Sequence, residues 1–354
     1  MDRAQSALSR ERGASTGRSL RELEGEPADP LVIEITRIRG FTFPRFAGPF
    51  GGEGGIRTPV TLASKAVFKT AAFDHSATSP GAWAAKVAPG PTAAIFARMT
   101  ATVEFLGTGT SSGVPLVGCD CAVCTSADPK DQRLRSSVLV RTQGRTLLID
   151  AGPDLRQQLL RSRTTAVDAV LITHEHMDHV AGIDELRALN FKLGRAIDIH
   201  ASPTTNQAIR RMFHYAFAEQ RYPGTPELTL HDIRPGAAQV AGVDLDVVEV
   251  LHHHMPVLGF RIGGFAYLTD VKRIPPEAME RLRGTHTLVI SALRRTEHIA
   301  HLNLDQALAV VRELAPAQAY FTHISHLLGT HAEVSAELPP HVALAYDGLR
   351  IELP

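Results

Sequence analysis

Apolar residues recur after residue 100 at the spacings that strands and amphipathic helices require. Short apolar or alternating runs that are bounded by turn residues predict strands. These runs lie at residues 103–106, 137–141, 145–149, 168–173, 243–251, 260–268, 287–290 and 319–322. Apolar residues spaced three and four apart predict helices at residues 155–163, 183–193 and 304–314. Strands in pairs, followed by strands that alternate with helices, predict a layered α/β sandwich.

Residues 1–98 have a different character, because they are rich in Gly, Pro, Ser, Ala and Arg and show no sustained period. The run Ile-Arg-Thr at residues 56–58 can be encoded by ATT-CGA-ACC, whose reverse complement resembles the T-arm of a tRNA gene. We therefore predict that residues 1–98 are a mis-assigned extension and that Met99 is the true start. A genuine disordered extension is the alternative. The folded domain is predicted at residues 99–354.

The composition is that of an ordinary soluble globular protein, with 44% hydrophobic and 21% charged residues. A formal net charge of zero predicts no strong attraction to nucleic acid or to an anionic membrane. The sequence has no apolar run of about 18 residues, the length that a membrane-spanning helix needs. The N-terminus also lacks the apolar segment of a secretory signal. We therefore expect a cytoplasmic protein.

Three histidines and an aspartate, His174, His176, Asp178 and His179, directly follow a predicted buried strand. Residues two apart in an extended chain point the same way, so His174 and His176 can share one metal ion. A turn into a helix near Asp178 would carry the next two side chains towards a second position. Imidazole and carboxylate ligands together suit Zn²⁺, Mn²⁺ or Fe²⁺. The pattern predicts a metal centre.

The three cysteines of the chain, Cys119, Cys121 and Cys124, form a C-x-C-x-x-C cluster. An odd number of cysteines at such close spacing is a poor disulfide framework and a good metal cluster. Three thiolates need a fourth ligand to close a tetrahedral zinc site, and His326 is the best candidate. The alternative is three reduced cysteines without a metal. A catalytic thiol is disfavoured, since no Cys/His pair outside the cluster suggests one.

The H-x-H-x-D-H run resembles the signature of the metallo-β-lactamase superfamily. The resemblance implies an αββα sandwich, in which two mixed β-sheets are flanked by helices. It also implies a two-metal centre whose ligands are His174, His176 and His252 for one ion, Asp178, His179 and His323 for the other, and Asp270 between them. Asp150 would orient a ligand histidine. His253 remains an alternative to His252, because a shift of one residue is open.

Residues 107–115, the cysteine cluster and the run Thr-His-Ile-Ser-His at residues 322–326 give a narrower resemblance. Together they resemble the phosphoribosyl 1,2-cyclic phosphate phosphodiesterases of the carbon–phosphorus lyase pathway. This family implies a structural zinc on the three cysteines and His326, two active-site zinc or manganese ions, and a homodimer. It also implies a small cyclic phosphate substrate, attacked by a hydroxide that bridges the two metals.

Catalytic roles follow from the same resemblance for Asp178 and for His301, which would act as general acid or phosphate contact. His298 is the competing residue. The chain departs from the family pattern at His254, where relatives often have Lys, and at residues 212–226, which look like an insertion.

Two further activities of the superfamily are alternatives. A tRNA 3′-processing endonuclease would need a basic arm, which the sequence after Met99 lacks. A non-hydrolytic protein of pyrroloquinoline quinone biosynthesis carries a similar cysteine cluster, but the full ligand set favours hydrolysis. A β-lactamase or lactonase would leave the cysteine site unexplained.

Overall fold

The computed structural model describes residues 101–354, so the prediction for residues 1–98 lies outside the described residues. The described part contains fourteen strands, which are β1 (Ala101–Gly107), β2 (Ser137–Thr142), β3 (Arg145–Ile149), β4 (Ala169–Leu171), β5 (Ile197–Ala201), β6 (Leu228–Asp232), β7 (Gly236–Val240), β8 (Val243–His252), β9 (Met255–Ile262), β10 (Phe265–Leu268), β11 (Thr287–Ser291), β12 (Gln318–Thr322), β13 (Val342–Leu344) and β14 (Arg350–Leu353). Its α-helices are α1 (Leu155–Arg161), α2 (Met177–Val180), α3 (Arg187–Leu193), α4 (Pro203–Met212), α5 (Pro276–Leu282), α6 (Leu304–Leu314) and α7 (His331–Glu337).

The strands form two seven-stranded sheets, and each sheet is mixed. The order in the first is β14-β1-β2-β3-β4-β5-β6, and in the second it is β13-β12-β11-β10-β9-β8-β7. Strands β3 to β6 run parallel, as do strands β10 to β13, whereas the other neighbours are antiparallel. Parallel strands are buried on both faces, which agrees with the fully buried β11.

Three apolar layers hold the sandwich together. The middle layer lies between the sheets and contains large buried side chains such as Phe105, Phe260 and Tyr267. An outer layer packs helices against each sheet, for example α6 through Val311 on the second sheet and α1 through Leu155 on the first. The predicted αββα sandwich with two mixed sheets is therefore confirmed.

Two predicted elements differ from the structure. Residues 260–268 were expected to form one strand, but Gly263 and Gly264 make a turn between β9 and β10, with Gly263 at a φ of 56°. Residues 183–193 were expected to form one helix, but they begin as a 3₁₀ helix at Ile183–Leu186 and continue as α3. The insertion-like residues 212–226 contain a short 3₁₀ helix, His214–Ala216. Among the residues described, no helix is long and apolar enough to cross a membrane.

The carboxyl ends of several strands meet at one edge of the sandwich. Asp150 follows β3, Asp270 follows Thr269 at the end of β10, and His323 follows β12. All three have a positive φ, of 63°, 54° and 55° respectively. The segment after β4 and the end of β8 reach the same edge, because their histidine rings lie against each other there. Ligand sites of α/β proteins are typically built at such strand ends.

Candidate metal centre

A buried carboxylate orients His179. The Nδ1 atom of His179 lies 2.7 Å from Asp150 Oδ2, and both side chains are fully buried. Asp150 also accepts hydrogen bonds from the backbone N–H of Thr173 at 2.9 Å and from its hydroxyl at 3.0 Å. The proton of His179 is thus directed at Asp150, and its Nε2 atom faces the centre. This geometry agrees with the orienting role that the resemblance implied for Asp150.

His174 and His252 are oriented in the same way. The Nδ1 atom of His174 lies 3.0 Å from the Thr173 hydroxyl, whose own proton points to Asp150. The Nδ1 atom of His252 lies 2.8 Å from the carbonyl oxygen of Ala300, to which it donates a hydrogen bond. In both rings the lone pair is therefore left on Nε2, the nitrogen that a metal ion requires.

Asp270 lies at the middle of the cluster. Its Oδ2 atom is 3.2 Å from His179 Nε2 and 3.3 Å from His323 Nδ1. Asp178 Oδ2 lies 3.1 Å from His179 Nε2. Potential ligand atoms of Asp178, His179 and His323 lie within 4.8 Å of one another, and the same holds for His174, His179 and Asp270. The structure therefore brings together residues that are far apart in the sequence.

The remaining histidines differ in how closely they approach the centre. The exposed ring of His176 has its centroid 4.7 Å from that of His174 and 5.2 Å from that of His252. Exposed His253, at a φ of 56°, forms the β8–β9 turn with His254. Between the two alternatives that the sequence left open, the structure places His252 at the centre.

His301 is much closer to the centre than His298. Its Nδ1 atom is buried and lies 3.7 Å from Asp270 Oδ1, without a hydrogen-bond partner among the described residues. Its ring stacks on that of His323 at 5.2 Å. His298 lies behind it, with ring centroids 5.0 Å apart, and its Nδ1 accepts a hydrogen bond from the Ala300 N–H.

The charges of the centre are strongly coupled. Burial alone would lower the pKa of His179, but the carboxylates of Asp150 and Asp270 outweigh it and raise the pKa well above its usual value. Burial alone would raise the pKa of Asp270, but His323 and His179 hold it well below its usual range. Burial lowers the pKa of His301 to about 3. Asp270 thus keeps its negative charge although it is buried, and a positive charge beside it, on His179 or on a bound metal ion, stabilises it.

The donor set fits a divalent cation. Two ligand atoms that lie about 2.0–2.1 Å from one zinc ion at the tetrahedral angle are about 3.3 Å apart. The distances of 3.1–3.3 Å between the nitrogen and oxygen atoms around His179 and Asp270 match this spacing. In addition, the Nε2 atoms of His174 and His179 are buried and have no hydrogen-bond partner in the described part of the chain.

The cysteine cluster forms a second group of donors. The Sγ atoms of Cys119, Cys121 and Cys124 lie 3.3, 3.4 and 3.5 Å from a single nitrogen, His326 Nδ1. Thiolate and imidazole ligands of one tetrahedral zinc ion would stand about 3.6 Å apart. His326, the fourth donor that the sequence predicted, therefore lies at the distance from the three sulfur atoms that a zinc site requires. It joins the loop after β1 to the segment after β12.

Two contacts of His323 were not foreseen. Thr110 Oγ1 lies 3.2 Å from its Nε2, and Ser136 Oγ lies 3.3 Å from its Nδ1 while donating to the carbonyl of Gly109. The sequence offers only a weak signal for them, because hydroxyl residues are common in turns.

The comparisons with known proteins agree with this geometry. The family described as "Beta-lactamase superfamily domain" matches residues 145–324, which include every candidate residue from Asp150 to His323. The chain belongs to the metallo-β-lactamase superfamily. It is similar to a crystallised diphosphatase from the PhnP family, with 40% identity, a TM-score of 0.68, and coverage of 72% of this chain and 98% of that one. The family and this neighbour mark the chain as a metal-binding hydrolase.

Two curated relatives carry other names. A coenzyme PQQ synthesis protein B of Methylorubrum extorquens (strain PA1) is 36% identical, over 71% of this chain and 99% of the relative. An octanoyltransferase of Porphyromonas gingivalis (strain ATCC BAA-308 / W83) is 42% identical, over 69% of this chain. The chain spans only 50% of the length of that octanoyltransferase. The family is thus shared by proteins of several activities.

Proposed function

We propose that the protein is a metal-dependent phosphodiesterase that hydrolyses a small cyclic phosphate of the phosphoribosyl 1,2-cyclic phosphate type. The observation that supports it most is the position of Asp270, which shares one group of possible donor atoms with His174 and His179 and another with His252 and His301. In this proposal the ligands are His174, His176 and His252 for one ion, Asp178, His179 and His323 for the other, and Asp270 for both.

Two divalent ions, when bound, supply Lewis acidity that lowers the pKa of a water molecule and neutralises charge on phosphoryl oxygens. The chain itself supplies oriented ligands, because Asp150, Thr173 and the Ala300 carbonyl fix the rings of three histidines. The buried strand ends exclude water from one side of the site, which strengthens each electrostatic contact.

His301 is proposed as the phosphate contact. With its pKa at about 3, the ring is neutral at physiological pH and donates an N–H hydrogen bond to a phosphoryl or leaving-group oxygen. Bound cations would lower the pKa of this buried ring further. Between general acid and phosphate contact, the structure therefore supports the second role.

The other expectations remain proposals. We propose that Cys119, Cys121, Cys124 and His326 hold one structural zinc ion, and that the active-site metals are zinc or manganese. We also propose that the protein is a cytoplasmic homodimer that binds a small phosphodiester and has no nucleic acid or membrane partner.

The direct test uses the full chain, loaded with Mn²⁺ or Zn²⁺, with ribose 1,2-cyclic phosphate and bis-p-nitrophenyl phosphate as substrates. We expect turnover of both, and a loss of at least about 10²-fold in kcat/KM for Asp178→Ala. His301→Gln should lose about 10²-fold, and the matched His298→Gln should lose less than about fivefold. The opposite order would transfer the role to His298.

A non-hydrolytic function is the second candidate, because the PQQ synthesis relative is matched over nearly its whole length. If the metal sites are fully occupied and neither phosphate is hydrolysed, the result would favour that candidate and contradict the phosphodiesterase proposal. Two further substrates should be assayed beside these phosphates. A pre-tRNA tests the endonuclease alternative, and an octanoyl thioester tests acyl transfer, the activity named for the octanoyltransferase relative.

A further inference from the structure

The two ring nitrogens of His323 have different neighbours. The ring is buried, and its Nδ1 atom lies 3.3 Å from Asp270 Oδ2, at the middle of the metal centre. The Nε2 atom lies at the other side of the ring, 3.2 Å from the hydroxyl oxygen of Thr110. A neutral imidazole carries one proton and one lone pair, so only one of the two nitrogens can bind a metal ion.

The distances favour Nδ1 as the ligand atom of His323. Its separation from Asp270 Oδ2 matches the spacing of about 3.3 Å expected for two ligands of one zinc ion. Ser136 Oγ also lies 3.3 Å from Nδ1, but Ser136 donates its single hydroxyl proton to the Gly109 carbonyl oxygen at 2.9 Å. Ser136 therefore donates no proton to Nδ1 and leaves its lone pair free for a metal ion.

Backbone hydrogen bonds fix the Thr110 hydroxyl beside His323. Thr110 is buried, and its N–H donates to the carbonyl oxygen of Ile324 at 3.1 Å. The N–H of Ile324 in turn donates to the carbonyl oxygen of Thr108 at 2.9 Å. Because Ile324 directly follows His323, the turn after β1 and the segment that carries the histidine hold each other in place.

We propose that Thr110 is a positioning residue of the metal centre: its hydroxyl oxygen accepts the Nε2–H of His323 and leaves Nδ1 to bind the metal ion. The hydrogen bond that one ring nitrogen makes determines which nitrogen keeps the lone pair. His323 then differs from His179 and His252, in which Nδ1 is hydrogen-bonded and Nε2 keeps the lone pair. The inference rests on the metal centre of the proposed function, and it adds a residue that acts on the metal only through His323.

NMR spectroscopy measures the position of the ring proton directly. In the zinc-loaded full chain, with ¹⁵N in its histidine rings, we expect the proton of His323 on Nε2. We also expect a nuclear Overhauser effect between this proton and the Thr110 methyl group, because the two residues are in contact. A proton on Nδ1 would overturn the proposal, since Nε2 would then be the ligand atom. The wild-type spectrum gives this answer even if a Thr110 variant does not fold.

Metal affinity is an independent readout. Thr110→Val keeps the shape of the side chain but removes the acceptor of the Nε2–H. Partners behind metal ligands typically affect affinity by about 10–100-fold, so we expect one of the bound ions to bind about 10-fold more weakly in competition with a chelating dye. Thr110→Ser keeps the hydroxyl and should change affinity less than about twofold. The matched control is Ser112→Ala, which removes an exposed hydroxyl of the same turn and should also change affinity less than about twofold.

A purely structural role of Thr110 predicts a different result. Thr110→Val would then lower the melting temperature of the metal-free protein and leave the metal affinity of the folded protein unchanged, which would overturn the proposal. Neither readout uses a phosphate substrate, so the two proposals can fail separately. The expected proton position and loss of affinity in a protein that hydrolyses no phosphate would contradict only the proposed function. A proton on Nδ1 in an active phosphodiesterase would contradict only the role of Thr110.

Discussion

Replacement of Asp150 should separate the folding of the site from its capacity to bind metal. Asp150 accepts hydrogen bonds from three buried donors, namely His179 Nδ1–H, the Thr173 N–H and the Thr173 hydroxyl. In Asp150→Ala these donors lose their acceptor. Each buried donor left unpaired costs about 1–3 kcal/mol, so the sum is about 3–9 kcal/mol. Water that enters the space left by the carboxylate brings the expected loss of unfolding free energy to the lower end of this range.

Asp150→Asn keeps the volume and should keep the fold. The single amide oxygen can serve Thr173, but the amide N–H₂ then faces the Nδ1 atom of His179. This forces the ring proton of His179 to Nε2, the nitrogen that points at Asp178 and Asp270. A protonated Nε2 cannot bind a metal ion, so we expect affinity to fall about 10–100-fold while the melting temperature of the metal-free protein changes little.

The assay combines thermal unfolding of the chelator-treated protein with metal content after dialysis and with a binding isotherm. Asp198→Asn is the matched control, because its carboxylate also contacts a histidine, His231, but at a half-buried position on β5. This control should change neither the melting temperature of the metal-free protein nor its metal affinity. Wild-type metal affinity in Asp150→Asn would refute the reasoning, since the direction of the His179 proton would then be irrelevant to the centre.

Three further changes test other parts of the molecule. Cys121→Ser should remove one metal ion per chain, measured by elemental analysis, and leave the remaining metal in place; loss of all metal would contradict two separate donor sets. Phe105→Ala, at a fully buried site between the sheets, should lower the free energy of unfolding by about 3–5 kcal/mol, measured by chemical denaturation at fixed metal concentration. A loss below about 1 kcal/mol would mean that the apolar layer between the sheets repacks to fill the cavity. Arg133→Met should lower the free energy of unfolding by about 3–5 kcal/mol in the same assay. The reason is that the buried guanidinium donates hydrogen bonds to Thr108 and to the Ala345 carbonyl and attracts the carboxylates of Asp131 and Asp347. A neutral or stabilising result would show that apolar packing can replace these charge interactions.

The sequence was most informative where covalent spacing alone determines geometry. His174 and Asp178 are joined by a few residues at a strand end, so the strand period and the following turn place them without knowledge of the rest of the fold. Asp270 and His323 are different, because only the order of the strands brings them to His179. Resemblance to the superfamily supplied these positions, since no local pattern reports which strands become neighbours.

Several elements were missed although the chain contains their signals. Ser202 accepts a hydrogen bond from the Thr205 N–H and precedes Pro203, so α4 begins with both an N-cap and an N-terminal proline. Two glycines at residues 263 and 264 divide a run that looks like one strand. The partners of His323 could not be predicted, because Thr110 and Ser136 reach it through bridges of Gly109 to Arg135 and Ile324 that join distant segments.

The backbone at three positions of the centre explains why the site is hard to predict from the sequence. Asp150, Asp270 and His323 have φ values between 54° and 63°, in the left-handed region where glycine is the default residue. A non-glycine residue there costs about 1–2 kcal/mol. Glycine would relieve this cost but would remove a carboxylate or an imidazole from the centre. The left-handed residue lets the chain leave the strand end abruptly, while its side chain stays directed at the neighbouring strand ends. A search for turns by composition therefore misses these turns, because the residues that make them are chosen for their side chains rather than for their backbone.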